Sequence, residues 1–207
     1  MPYPAFIAGW PMMGRQPSGT DPIRQLIDEH EIFMEALNDL AAAMLLVPEG
    51  ARELPPGVFA TAEAIWRAVN EHLNVHFVKE EEVFFPYIER MIPGARVKFQ
   101  FLHVDHDRLR ENFEEYTEAL QNYRAFGGSM GGVRTIRLVA GEMIRWFYYH
   151  IIAEDAVYFD IAERTMSPEE SREVLGRMRS IEARLREQVA PFVEKREDFR
   201  PPTPADL

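Results

Sequence analysis

Along most of the chain, apolar residues recur in alternating steps of four and three, the spacing that lines one face of a helix. One such stripe takes Ile23, Ile27, His30, Met34, Leu37, Ala41 and Met44, and a second takes Ala62, Trp66, Val69, Leu73, His76, Glu80, Val83 and Tyr87. A third runs through Phe99, Leu102, His106, Leu109, Phe113, Tyr116 and Leu120, and a fourth through Val139, Met143, Trp146, His150, Glu154, Val157 and Ile161. Each stripe carries a histidine part-way along, and two carry a glutamate as well. No strand-like alternation or hairpin signal competes with this helical pattern.

Proline and glycine punctuate the stripes. Thr20 or Asp21 before Pro22 starts a first helix, with proline at the first position where its missing N–H costs nothing. That helix runs to about Leu46, and Pro48 to Gly57 forms a loop. A second helix extends from about Val58 to Phe85, where Pro86 is expected to kink or end it, and a short segment reaches Pro93-Gly94. The third spans about Ala95 to Arg124, the glycine-rich Gly127 to Gly132 is a turn, and the fourth reaches about Arg164. Ser167-Pro168-Glu169-Glu170 reads as a capping box that opens a fifth helix, ending near Glu194.

These elements predict an all-α, up-down-up-down four-helix bundle over residues 21–165. An N-terminal arm (1–20) precedes it, and an additional C-terminal helix with an extended tail (167–207) follows. The arm is apolar from Met1 to Met13 but broken by Pro2, Pro4 and Pro11, and it lacks a basic leader. It reads as neither signal peptide nor membrane span, and is expected to lie on the bundle through Phe6, Ile7 and Trp10.

Composition narrows the partners. With 46% hydrophobic and 28% charged residues, the chain is globular rather than disordered. A net charge of −11 argues against nucleic acid and anionic membranes. The absence of cysteine removes disulfides and thiolate metal sites, and fits a cytoplasmic location.

The candidate chemistry lies in an internal repeat. The segment His76 to Arg90 aligns without a gap on His150 to Arg164, with His76/His150, Glu80/Glu154, Val83/Val157, Phe85/Phe159, Glu89/Glu163 and Arg90/Arg164 identical. A fainter match sets His30 on His106, Glu29 on Asp105 and Leu26 on Leu102. One helical hairpin is therefore used twice, each copy supplying a His and then a His-x-x-x-Glu. Residues four apart share a helix face, about 5–6 Å between Cβ atoms, so both side chains can reach one metal. Buried carboxylates and imidazoles in this number call for a compensating cation.

The predicted metal ligands are His30, His76, Glu80, His106, His150 and Glu154. Imidazole with carboxylate suits iron, zinc, copper or manganese, and two symmetric sets imply two ions. If both glutamates bridge, protein donors and a bridging oxygen leave roughly two coordination positions open, which suits a small ligand. His72 reads as a flanking residue, because its repeat counterpart is Trp146. His103 flanks the stripe too, with an additional-ligand role as the alternative. Glu81 and Asp155 are candidates to accept hydrogen bonds from ligand imidazoles, or else are solvated. Tyr158, Trp66, Trp146 and Phe147 read as packing residues.

These residues resemble the hemerythrin-like, or HHE cation-binding, family, as do the words "HFVKEEEVFFP" and "DEHEIFMEAL". The resemblance covers about Asp21 to Arg164. It implies a non-heme pair of iron ions, oxo- or hydroxo-bridged, held by those six residues with both glutamates bridging. It further implies a diatomic ligand (dioxygen or nitric oxide) or peroxide, in sensing, detoxification or iron-centre repair. Oxygen-carrying members have a His-x-x-x-His on the third helix, whereas this chain has His103-Val-Asp-His106, which points to the bacterial, non-transport branch. An iron-dependent interaction module without turnover is the alternative. Whether turnover occurs, and whether a protein partner or homo-oligomer is involved, stays open on the sequence.

Overall fold

Asp21 starts the first helix, its Oδ1 accepting from the N–H groups of Ile23 (2.9 Å) and Arg24 (3.0 Å). The computed structural model describes residues 21–91 and 95–193, apart from the side chains of 71, 95–99 and 186–193. The expected arm with Phe6, Ile7 and Trp10, and the tail from Arg200 to Leu207, lie outside the described residues.

Helix α1 spans Pro22–Leu45 and α2 spans Pro56–Lys79. A π-helical turn, Glu80–Phe84, carries α2 straight into α3, Phe85–Met91. Helix α4 is Ala95–Phe126 and α5 is Met130–Ala153. A second π turn, Glu154–Phe159, joins α5 to α6, Asp160–Thr165, and α7 is Pro168–Val193. The described residues are helical with no strand, an all-α bundle as predicted. No helix among them is long and apolar enough to cross a membrane.

Local chemistry accounts for the boundaries. The predicted capping box is formed: Ser167 N–H donates to Glu170 Oε2 (2.8 Å) and Glu170 N–H to Ser167 Oγ (3.3 Å). Gly127 comes after the last residue of α4 with φ +74°, the left-handed conformation that ends a helix without a Cβ penalty. Of the two outcomes expected of Pro86, a kink or an end, the end does not occur. The widened turn before it has Phe85 N–H bonding to Glu80 O, and the helix continues to Met91. The second π turn has Asp160 at the equivalent position, so proline is not the common cause. Both turns share a glutamate aimed inward at the first residue.

The extra residue in each π turn rotates the helix downstream of it. Beyond Glu154 the buried positions are Phe159 and Ala162, while Val157, predicted to face the interior, is 47% exposed. In α1 the buried face is also wider than the stripe: Leu26, Phe33 and Leu40 are buried, with Ile27, Met34 and Ala41 beside them at half burial.

Helix α1 packs against α2, α5 and α7, while α4 packs against α5 and α2. Two apolar clusters result. The larger includes Phe33, Leu37, Leu73, Phe77, Leu109 and Phe147, and the smaller includes Leu26, Val83, Phe85, Leu102, Phe159 and Met178. Each fully buried side chain of this size contributes roughly 1.5–3 kcal/mol. On α1 and α4 the crossover between clusters falls between Leu26 and Phe33, and between Leu102 and Leu109. His30 and His106 sit in those intervals. The polar layer is thus closed by hydrocarbon on both sides.

Candidate metal centre

Six buried donors meet at that layer, and they are the six the sequence singles out. His30, His76, Glu80 and Glu154 form one group, and Glu80, His106, His150 and Glu154 a second, with the ligand atoms in each within 4.8 Å of one another. The two glutamates belong to both. Helical phase explains the convergence. His76 and His150 each stand four residues before a glutamate, and Nε2 lies 3.3 Å from Glu80 Oε1 and 3.2 Å from Glu154 Oε2 respectively. Across the bundle, His30 Nε2 is 3.3 Å from Glu154 Oε2, and His106 Nε2 is 3.3 Å from Glu80 Oε2.

The donors face a common point rather than pairing off. All four oxygens of Glu80 and Glu154, with Nε2 of His106 and His150, are buried without a hydrogen-bond partner. Such atoms cost roughly 1–3 kcal/mol each when unsatisfied. The Nε2 atoms of His30 and His76 are 3.0 Å apart, a separation at which two lone pairs repel unless a proton or cation lies between them. Carboxylate and imidazole donors in this number, orphaned and convergent, fit a metal site.

Behind three of the imidazoles stands a carboxylate. His30 Nδ1 donates to Asp155 Oδ1 (2.8 Å), His76 Nδ1 to Glu29 Oε2 (2.8 Å) and His106 Nδ1 to Glu81 Oε1 (2.7 Å). Each bond fixes the ring and leaves Nε2 facing the cluster. Glu81 and Asp155 therefore take the hydrogen-bonding role rather than the solvated one. Sequence reasoning does not assign Glu29 this role, although its alignment with Asp105, next to the aligned histidines, is the available signal. Lys79 escapes sequence reasoning altogether. It is buried, pairs with Glu29 and lies 2.9 Å from Glu182 of α7. Gln25 Nε2 donates to Glu29 (3.3 Å) and to Glu182.

Electrostatics obey the same plan. Burial pushes Glu29 up, but the hydrogen bond from His76 and the Lys79 charge outweigh it and hold the carboxyl down at about 2. Burial opposes charge on His30 as well, yet Asp155, Glu154 and Glu80 raise it to about 10. His76 and His106 are raised against burial by the same kinds of partner. Glu80 and Glu154 stay below the usual carboxylate range despite burial, because histidines surround them. His150 goes the other way: burial pushes it down to about 4, and the charge of Glu154 offsets this only in part. The carboxylates thus favour the protonated form of His30, His76 and His106. A cation would replace those protons.

The remaining candidates stand outside the cluster. His103 is half-buried, with its ring edge-on to Phe85 at 5.5 Å, and belongs to neither donor group. His72 is exposed on α2. Phe147 is core, Trp146 packs on the larger cluster at half burial, and Trp66 Nε1 donates to Thr117 Oγ1 (2.7 Å). Tyr158 is half-buried beside the smaller cluster.

The hemerythrin HHE cation binding domain matches residues 21–162, and the chain belongs to this family. That span takes in all six donors and ends before α7. Among curated proteins none matches the chain.

Proposed function

We propose that this chain binds two iron ions through His30, His76, Glu80, His106, His150 and Glu154, with both glutamates shared between the ions. We further propose that the centre takes a small ligand, dioxygen, nitric oxide or peroxide, for sensing, detoxification or iron-centre repair. The observation that carries this reading is the overlap of two four-donor groups at Glu80 and Glu154, whose oxygens are all buried and unsatisfied. Two irons would supply open-sited, redox-active binding of such ligands.

The chain's own residues do the rest. Asp155, Glu29 and Glu81 orient the imidazoles, and the flanking apolar clusters exclude water. Phe77 stacks on His106 at 4.0 Å and Phe159 on His30 at 5.3 Å, which restricts ring rotation.

Metal analysis after expression in iron-rich medium tests the reading. About two irons per chain are expected, with nearly complete loss of both in Glu80→Ala and Glu154→Ala variants. Wild-type protein that stays metal-free while folded would refute it. Absorption changes on adding nitric oxide, peroxide or oxygen to the iron-loaded protein would identify the ligand.

A second reading, an iron-dependent interaction module, has one observation in its favour. Lys79 joins Glu29, the partner of His76, to Glu182 on α7, so occupancy of the centre and seating of α7 share a link. Protease protection of α7 that depends on iron, without turnover of any small ligand, would favour it.

A further inference from the structure

Given two cations as proposed above, we infer that their positions are unequal: the ion between His30 and His76 is held more tightly than the ion between His106 and His150, because the carboxylate brace on His76 has no working counterpart on His150. The sequence repeat makes this a controlled comparison within one molecule. Two braces are matched. His30 rests on Asp155 at 2.8 Å and its equivalent His106 on Glu81 at 2.7 Å. Glu80 and Glu154 belong to both donor groups and would serve both positions.

The other pair is not matched. Glu29 reaches His76 Nδ1 at 2.8 Å, and is itself gripped by Lys79 and Gln25, both anchored to Glu182. The repeat puts Asp105 opposite Glu29, Ala153 opposite Lys79 and Phe101 opposite Gln25. Aspartate is one methylene shorter, and no lysine or amide holds it forward. His150 Nδ1 is buried and has no hydrogen-bond partner among the described residues. Its ring is positioned only by packing, edge-on to Phe77 at 6.0 Å and near His106 at 4.8 Å.

A carboxylate behind a ligand imidazole fixes the ring and makes the ligating nitrogen a better donor, and removing one typically costs about 10–100-fold in metal affinity. Lys79 and Glu29 are thus positioning residues for the first ion. Loading is expected to be sequential, with the His30/His76 position filled first.

The test is a titration of the full chain, stripped of metal by a chelator, with Zn(II) as a diamagnetic probe. Bound zinc is measured by equilibrium dialysis and ligation by nitrogen-15 spectra of labelled histidine. One equivalent should shift the Nε2 signals of His30 and His76 before those of His106 and His150. Mutual repulsion of two ions alone would also separate the steps, so variants decide the matter. Glu29→Asp, which copies the shorter side chain of the second hairpin, should weaken the first step by about 10-fold or more and leave the second nearly unchanged. Asp105→Ala, a partly exposed position where folding is not at stake, should change neither step by more than about 2-fold, against the roughly 10-fold expected of a true brace.

Equal first-equivalent shifts at all four histidines would overturn the inference, as would an Asp105→Ala loss comparable to that of Glu29→Asp. Either result would leave the two-ion reading standing. A folded chain that takes up no zinc and no iron would remove both.

Discussion

Val83 and Val157 occupy the same place in the two copies of the hairpin, in turns of the same π-helical form, yet one is 2% exposed and the other 47%. The difference is α7, which lies across α1, α2 and the first π turn. The matching face of α4 and α5 has no such cover among the described residues. There Phe101 is 69% exposed and Ile152 56%, with Val104 and Tyr149 exposed nearby. Under α7 the aligned positions hold Gln25, buried, and Val78, packed against the smaller cluster. The donor layer is nevertheless nearly the same on both sides. Placement of these histidines and glutamates therefore depends on what each hairpin carries for itself: a histidine, a glutamate four residues on, and the widened turn that this glutamate opens. The cover is a separate layer, and its Glu182 reaches the centre through Lys79 and Gln25, both of which hold Glu29.

Five substitutions probe this contrast, from the largest expected effect to the smallest. Met178→Ala empties a fully buried position of α7 in the smaller cluster, and should cost about 3 kcal/mol in chemical denaturation. A loss under about 1 kcal/mol would mean α7 is an ornament rather than part of the fold. Lys79→Met leaves Glu29 and Glu182 facing each other without their shared cation. A loss of about 2 kcal/mol is expected, tempered by the partial exposure of both carboxylates. Unchanged stability would deny that Lys79 contributes to the link between α7 and the centre.

The matched valines give the sharpest comparison. Val83→Ala should cost about 1.5 kcal/mol, and Val157→Ala no more than about 0.5 kcal/mol. Equal losses would mean that the second face is covered after all. Last, Phe101→Ser should leave the melting transition nearly unmoved, a change within about 0.5 kcal/mol. A larger loss would reveal that this face is buried in solution.

The helical framework is legible because its signals are local and redundant. Asp21-Pro22, Ser167 to Glu170 and Gly127 each mark a boundary with their own local chemistry, and the four-three spacing marks the inward side of each helix even where, as in α1, the buried face is wider than the stripe. It fails at Val157, whose counterpart Val83 is buried because α7 packs on the first π turn, and no such cover lies over the second among the described residues. The convergence of six buried His and Glu side chains is legible because the repeat puts them in phase with the stripe, twice. Their supporting carboxylates are legible only where the repeat shows them as a pair, as with Glu81 and Asp155. Lys79 has an alanine as its counterpart, and its partner Glu182 lies outside the repeat on α7. Nothing in one copy of a motif predicts a contact with an element that the other copy lacks.

The widened turns at Glu80 and Glu154 also divide each long rod into two lengths with separate angular settings. Upstream, the setting aims a carboxylate at its histidines. At the downstream ends, Phe85 and Phe159 enter the smaller apolar cluster. Residues past Phe85 or Phe159 can therefore be exchanged to refit the far end of the bundle without swinging either glutamate off its target, so the far end can be altered while the donors keep their aim.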